Sequence, residues 1–137
     1  MSRAIQIVLR WFPALLMMLV IFLFSAQASS DLPNFDWADR TIKKGGHVVG
    51  YAVLAISYWR VFHFKRQRWW LAWCLTMLYA MTDEFHQSLI PGRFPSVWDM
   101  VIFDNFGALI GLGFLSRYKT QRSDLVRPIV ENISLKS

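Results

Sequence analysis

Four stretches of this 137-residue chain carry almost no charge over lengths that approach the thickness of a bilayer. They run from about Ile5 to Ala26, Gly46 to Phe62, Trp69 to Met81 and Val97 to Leu115. Each is apolar nearly all round, whereas a helix on the surface of a soluble protein alternates an apolar face with a polar one. A span takes roughly 20 residues. The third stretch reaches that length only if its helix continues through Asp83, Glu84 and Gln87 to about Ile90, which puts ionisable groups at the membrane boundary. The expected fold class is therefore all-α, an integral membrane bundle of four transmembrane helices. It forms a single domain over 1–137, with a core at about 5–115 and a polar cytoplasmic tail over 116–137. That tail, with charges of both signs, is expected to be partly disordered or loosely held at the surface.

The first stretch also reads as a signal peptide, with a basic start, an apolar core and Ala26-Gln27-Ala28 as a small-residue cleavage sequence. Cleavage would leave three spans. The near-full span length of the segment favours retention and four.

Orientation follows from charge. The chain is basic, with a net charge of +6. Such a balance suits nucleic acid, a membrane surface or topology. Here the basic residues sit in short segments between apolar stretches, which points to topology and to no nucleic-acid partner. The N-terminus, the second connection and the tail together hold eleven Lys and Arg, against four in the first and third connections. Both termini are thus expected in the cytoplasm, with the first and third connections outside. Trp11, Trp69, Trp70 and Trp98 fall near the expected interfaces, where amphipathic rings settle. The single cysteine, Cys74, has no internal disulfide partner.

The unusual polar residues collect on the outer side. Lys44, His47 and Tyr51 share a face at the start of the second span, with Gly45 and Gly46 placing the Lys at or before the regular helix. Asp83, His86, Gln87 and Ile90 share a face at the end of the third, with Glu84 about 100° away. Arg93 is the one charge in the Pro-Gly turn after it, and Asp99, Asp104 and Asn105 open the fourth span. Ionisable groups inside a membrane are costly and turn toward the bundle or a wet cavity, paired with one another. The expected ligand-binding set is Lys44, His47, Tyr51, Asp83, Glu84, His86, Gln87, Arg93, Asp99 and Asp104, with Asp83, Glu84 and His47 as acid/base candidates. Lys44 and Arg93 could hold a phosphate or carboxylate.

Structural readings stand beside these. Asp99 lies three residues after Ser96, the spacing of a capping box. Gly107 and Gly111 form a small-xxx-small helix contact. Lys43 and Lys44 could snorkel to headgroups, and the whole cluster could be an ion-pair network that fixes packing. No His-Glu-x-x-His spacing is present and Lys and Arg compete for the carboxylates, so no metal and no cofactor are expected. No serine sits in a nucleophile turn.

These residues resemble a known signature. Asp83-Glu84-Phe85-His86-Gln87, Pro91-Gly92-Arg93, and then Asp99, Asp104, Gly107 and Gly111 look like the motif of the VanZ-like membrane protein family. Lys44-Gly45-Gly46-His47 with Tyr51, and Phe24-Ser25-Ala26-Gln27, are similar to two further family elements. The resemblance covers roughly Phe24 to Leu115. Gly50 stands where many members carry Glu, and Asn105 where small hydroxyl residues are common. The family takes its name from a protein linked to teicoplanin resistance. The resemblance implies a multi-pass protein of the bacterial inner membrane, associated with the cell envelope. Its expected partners are the lipid bilayer and a lipid-linked cell-wall component, and so small a bundle could form a homo-oligomer. Whether it binds such a component, acts on it as an enzyme or serves as a structural bundle stays open at this point.

Overall fold

The computed structural model describes residues 2–26, 36–90, 98 and 100–134, and within these the side chains of 36–44, 100, 124 and 127–134 lie outside the description. Among the described residues the chain is helical throughout, without strands. Four long helices form: α1 (Arg3–Ser25), α2 (Asp36–Val61), α3 (Trp69–Ser88) and α4 (Asn105–Ser134). A short 3₁₀ turn, Arg66–Arg68, precedes α3, and one π-helical segment, Met100–Asp104, leads into α4.

The cross-helix pairs fix an up-down-up-down order. Ser25 meets Asp83, Met18 meets Tyr58 and Tyr79, and Arg10 meets His63, so α1 runs against α2 and along α3. Gly107 lies against Val48 and Gly111 against Ala52, an equal step of four on each helix, so α2 and α4 run parallel. The centre is filled by Tyr51, Leu54, Ala55, Trp59, Ala72, Ala80, Ala108 and Leu112. Alanines and glycines at the crossings let backbones approach where side chains would hold them apart. Tyr79 Oη donates to the Met18 carbonyl at 2.6 Å, tying α3 to α1. Tyr79→Phe should cost about 1 kcal/mol, read as a lower melting temperature in detergent.

The start of α2 and the end of α4 differ from the sequence expectation. α2 begins at Asp36 rather than near Gly46, so Lys43, Lys44, Gly45 and Gly46 are helical backbone. Two glycines cost helix propensity of about 1 kcal/mol each relative to Ala, which the long flanking helical sequence absorbs. Most of the tail is helical backbone: α4 continues to Ser134. Polarity alone suggested disorder, but 116–127 contains neither Gly nor Pro, and Lys119 Nζ sits 3.5 Å over the Phe64 ring. That contact anchors the start of the tail to the turn after α2. There His63 and Phe64 adopt positive φ (58° and 54°), the Phe64 amide returns to the Trp59 carbonyl at 3.0 Å, and Phe64 packs edge-on against Trp59. The segments Ile5–Ala26 and Trp69–Ile90 match α1 and α3 closely.

By length and composition α1 is the one helix among the described residues apolar enough to cross a membrane. The other three are diluted by the features already named: charged residues at the start of α2, Trp and carboxylates at the two ends of α3, and the polar second half of α4.

Candidate functional site

The polar end of the bundle is assembled by all four helices. Asp83, on the last turns of α3, is 3 % exposed. Its Oδ2 accepts from Ser25 Oγ of α1 at 2.8 Å, from Tyr51 Oη of α2 at 3.3 Å and from Gln87 Nε2 at 3.0 Å. Gln87 also donates to Ser25 Oγ at 3.3 Å, closing a ring of hydrogen bonds. Asp83 and Gln87 are i, i+4 on α3, so one helical face carries both. Three neutral donors thus converge on one carboxylate oxygen. Among the described residues, the second oxygen, Oδ1, is buried and accepts from no group, and the buried Nε2 of His86 has no partner. The His86 ring stacks on Phe22 of α1 at 4.3 Å between centroids.

A second polar group lies beside the first. His47 Nδ1 donates to Asp104 Oδ1 at 3.1 Å. Asp104 is 1 % exposed and ends the π-helical segment. A π turn inserts an extra residue into the ladder and rotates the residues after it, and such turns collect at functional positions. Here it brings Asp104 against α2. The His47 ring stacks on Tyr51 at 5.9 Å, and Tyr51 reaches Asp83, so one continuous contact path runs Asp104, His47, Tyr51, Asp83, Ser25. Asp83, Glu84 and Asp104 all act electrostatically on His47. Among the described residues no group of three His, Cys, Asp or Glu side chains is disposed to hold a metal.

Of the ten residues expected in the site, the described structure joins His47, Tyr51, Asp83, Gln87 and Asp104 through hydrogen bonds or ring contacts. His86 lies one turn from Asp83 but turns to Phe22. Glu84 is half-buried and takes part in an interaction of its own. The Lys44 side chain, Arg93 and Asp99, with the expected Ser96 cap, lie outside the described residues. Sequence reasoning left Ser25 out of the site, although its place at the end of the first span, level with the end of the third, was the available signal. Phe22, one turn earlier, was missed for want of any polar mark.

Gly107 and Gly111 are packing positions. A Cβ on Gly107 would lie 2.3 Å from the Val48 carbonyl oxygen, and one on Gly111 would lie 2.7 Å from that of Ala52. Asn105 is held from outside the polar end, its Oδ1 accepting from Trp73 Nε1 at 2.8 Å. A Cβ on Gly50 would meet Ile21 at 3.5 Å, so this position faces α1.

No curated protein and no solved structure matches the chain. The family model described as VanZ/LLP1 matches residues 10–119, which takes in most of α1, the polar end and the first half of α4, and the chain therefore belongs to the VanZ/LLP1 family.

Proposed function

We propose that this protein spans the bacterial cytoplasmic membrane four times, with both termini inside, and that its outward polar end binds the headgroup of an envelope lipid or of a lipid-linked cell-wall component. The observation that carries this reading is the pair of buried carboxylates, Asp83 and Asp104, with half-buried His47 bonded to Asp104, at one end of a largely apolar bundle. Ionisable side chains at such a depth mark ligand or ion sites more often than packing. Family membership supports a membrane location. So does the outer surface: Phe12, Leu19, Leu78, Phe106 and Phe114 are large apolar side chains more than half exposed, on three helices. Apolar surface of that extent requires a covering phase, and lipid is the one that four antiparallel helices of this length suit. Retention of α1 as a span is supported by the Ser25 and Met18 contacts, which its loss would open.

The His47–Asp104 pair favours a second reading, acid–base chemistry on a lipid-linked precursor, with Asp104 orienting the imidazole and His47 moving the proton. Both readings place glycopeptide response downstream of the same site, as the family name suggests.

Three single variants, His47→Ala, Glu84→Gln and Arg93→Lys, test the site. Folded yield in detergent should stay near wild type, while teicoplanin sensitivity changes and co-purified lipid, read by mass spectrometry, falls. Loss of yield in all three would make the cluster a packing network instead. For topology, Asp36→Cys in a Cys74→Ser background should react with an impermeant maleimide added to intact cells. Absence of labelling would overturn the orientation.

A further inference from the structure

Among the described residues, Asp83 Oδ1 is a buried carboxylate oxygen without a donor, while its twin takes three. An uncompensated charge in that position is costly. The same face of α3 carries a second orphan, Nε2 of His86, one turn on. Both residues lie against α1, where Ser25 bonds Asp83 and Phe22 stacks on His86. Residues at i, i+3 share a helix face, with Cβ atoms about 5–6 Å apart, so a group entering between the two side chains meets both. A neutral imidazole Nε2 accepts, as Oδ1 does.

Resting on the reading of this end as a headgroup site, we propose that the buried α1–α3 contact at Asp83 and His86 takes up a primary ammonium, supplied by an amine-bearing phospholipid headgroup. A primary ammonium brings both the positive charge that Asp83 lacks and N–H donors for the two orphan acceptors. A hydroxyl supplies donors without charge. A trimethylammonium supplies charge without donors. The two acceptors lie at the ends of α1 and α3, level with the expected headgroup layer, so the lipid's tails can stay in the bilayer while the amine enters.

The test uses the full-length protein in detergent, with binding read by native mass spectrometry and by melting temperature. Short-chain phosphatidylethanolamine, phosphatidylcholine, phosphatidylglycerol and free ethanolamine are titrated separately. Phosphatidylethanolamine should bind at least about tenfold more tightly than phosphatidylcholine, the difference a charge-assisted hydrogen bond makes. Asp83→Asn, and independently His86→Phe, should abolish that preference. Equal binding of phosphatidylethanolamine and phosphatidylcholine would overturn the ammonium assignment. Ethanolamine binding as tightly as phosphatidylethanolamine would overturn a lipid source. Phosphatidylglycerol binding alone would keep the polar end as a headgroup site while overturning the ammonium. Binding of none of them would overturn both. Because the lipid comparison runs on wild type, the outcome holds even if a variant fails to fold.

Discussion

Gly107→Ala should lower folded yield in detergent more than any other single methyl added to this bundle. Its Cβ would stand 2.3 Å from the Val48 carbonyl oxygen and 2.9 Å from the Val48 carbonyl carbon and Cα. These are backbone atoms on α2, so no side chain can swing aside, and α4 must move bodily away. Two effects compete. Alanine is the better helix former by about 1 kcal/mol. Overpacking costs about 3 kcal/mol where the neighbour is rigid, so destabilisation wins. Movement of α4 would also draw Asp104 from His47, because Gly107 comes one turn after Asp104. Gly111→Ala, at 2.7 Å from the Ala52 carbonyl, should show a smaller loss. Gly113→Ala is the control: nothing lies within 4 Å of its Cβ, and it should be neutral or slightly stabilising. The measurement is midpoint of unfolding in a mixed-detergent or thermal titration. Equal midpoints for the Gly107 and Gly113 variants would mean that α2 and α4 are not in backbone contact.

The glycine contact was legible in the sequence because a four-residue repeat of small residues has one dominant use in packed helices. The helical nature of the chain and the limits of α1 and α3 were legible for a similar reason: long apolar runs almost free of charge leave few alternatives. Helix ends outside the apolar runs were not. α2 begins ten residues before the apolar stretch and α4 ends nineteen residues after its own, because apolarity marks what is buried or lipid-covered, while a helix ends only where its backbone bonding fails.

Within the site, spacing placed Asp83 and Gln87 on one face and His47 and Tyr51 on another, and the structure joins each pair to its neighbours. What spacing could not supply is which helices these faces meet. That His47 takes Asp104 depends on the π-helical segment Met100–Asp104, a local rotation that a regular period of 3.6 does not anticipate. That Ser25 completes the Asp83 ring depends on the crossing of α1 with α3, a tertiary fact.

Asp83→Leu is expected to be the most damaging substitution at the polar end, and its contrast with Asp83→Asn separates hydrogen bonding from charge. Leucine fills the aspartate site but accepts nothing. Ser25 Oγ, Tyr51 Oη and Gln87 Nε2 would each lose their acceptor on Oδ2 in a buried setting. An orphaned buried donor costs about 1–3 kcal/mol, and the loss summed over a shared network is less than additive, so about 4 kcal/mol is expected. Asparagine keeps a carbonyl oxygen where Oδ2 stands and can still accept from Ser25 and Tyr51. Its amide nitrogen would occupy the place of Oδ1, which has no partner, and so adds one unmet donor. Against that, the variant removes a buried negative charge whose desolvation is itself unfavourable. The two changes oppose each other, and Asp83→Asn should stay within about 1–2 kcal/mol of wild type. Tyr51→Phe, which removes the longest of the three bonds at 3.3 Å, should cost less than Ser25→Ala, which removes the shortest at 2.8 Å. Thermal unfolding of the four purified variants in one detergent gives the order directly. If Asp83→Leu melts at or above wild type, the carboxylate is not organising the bundle end, and the donors around it have other partners.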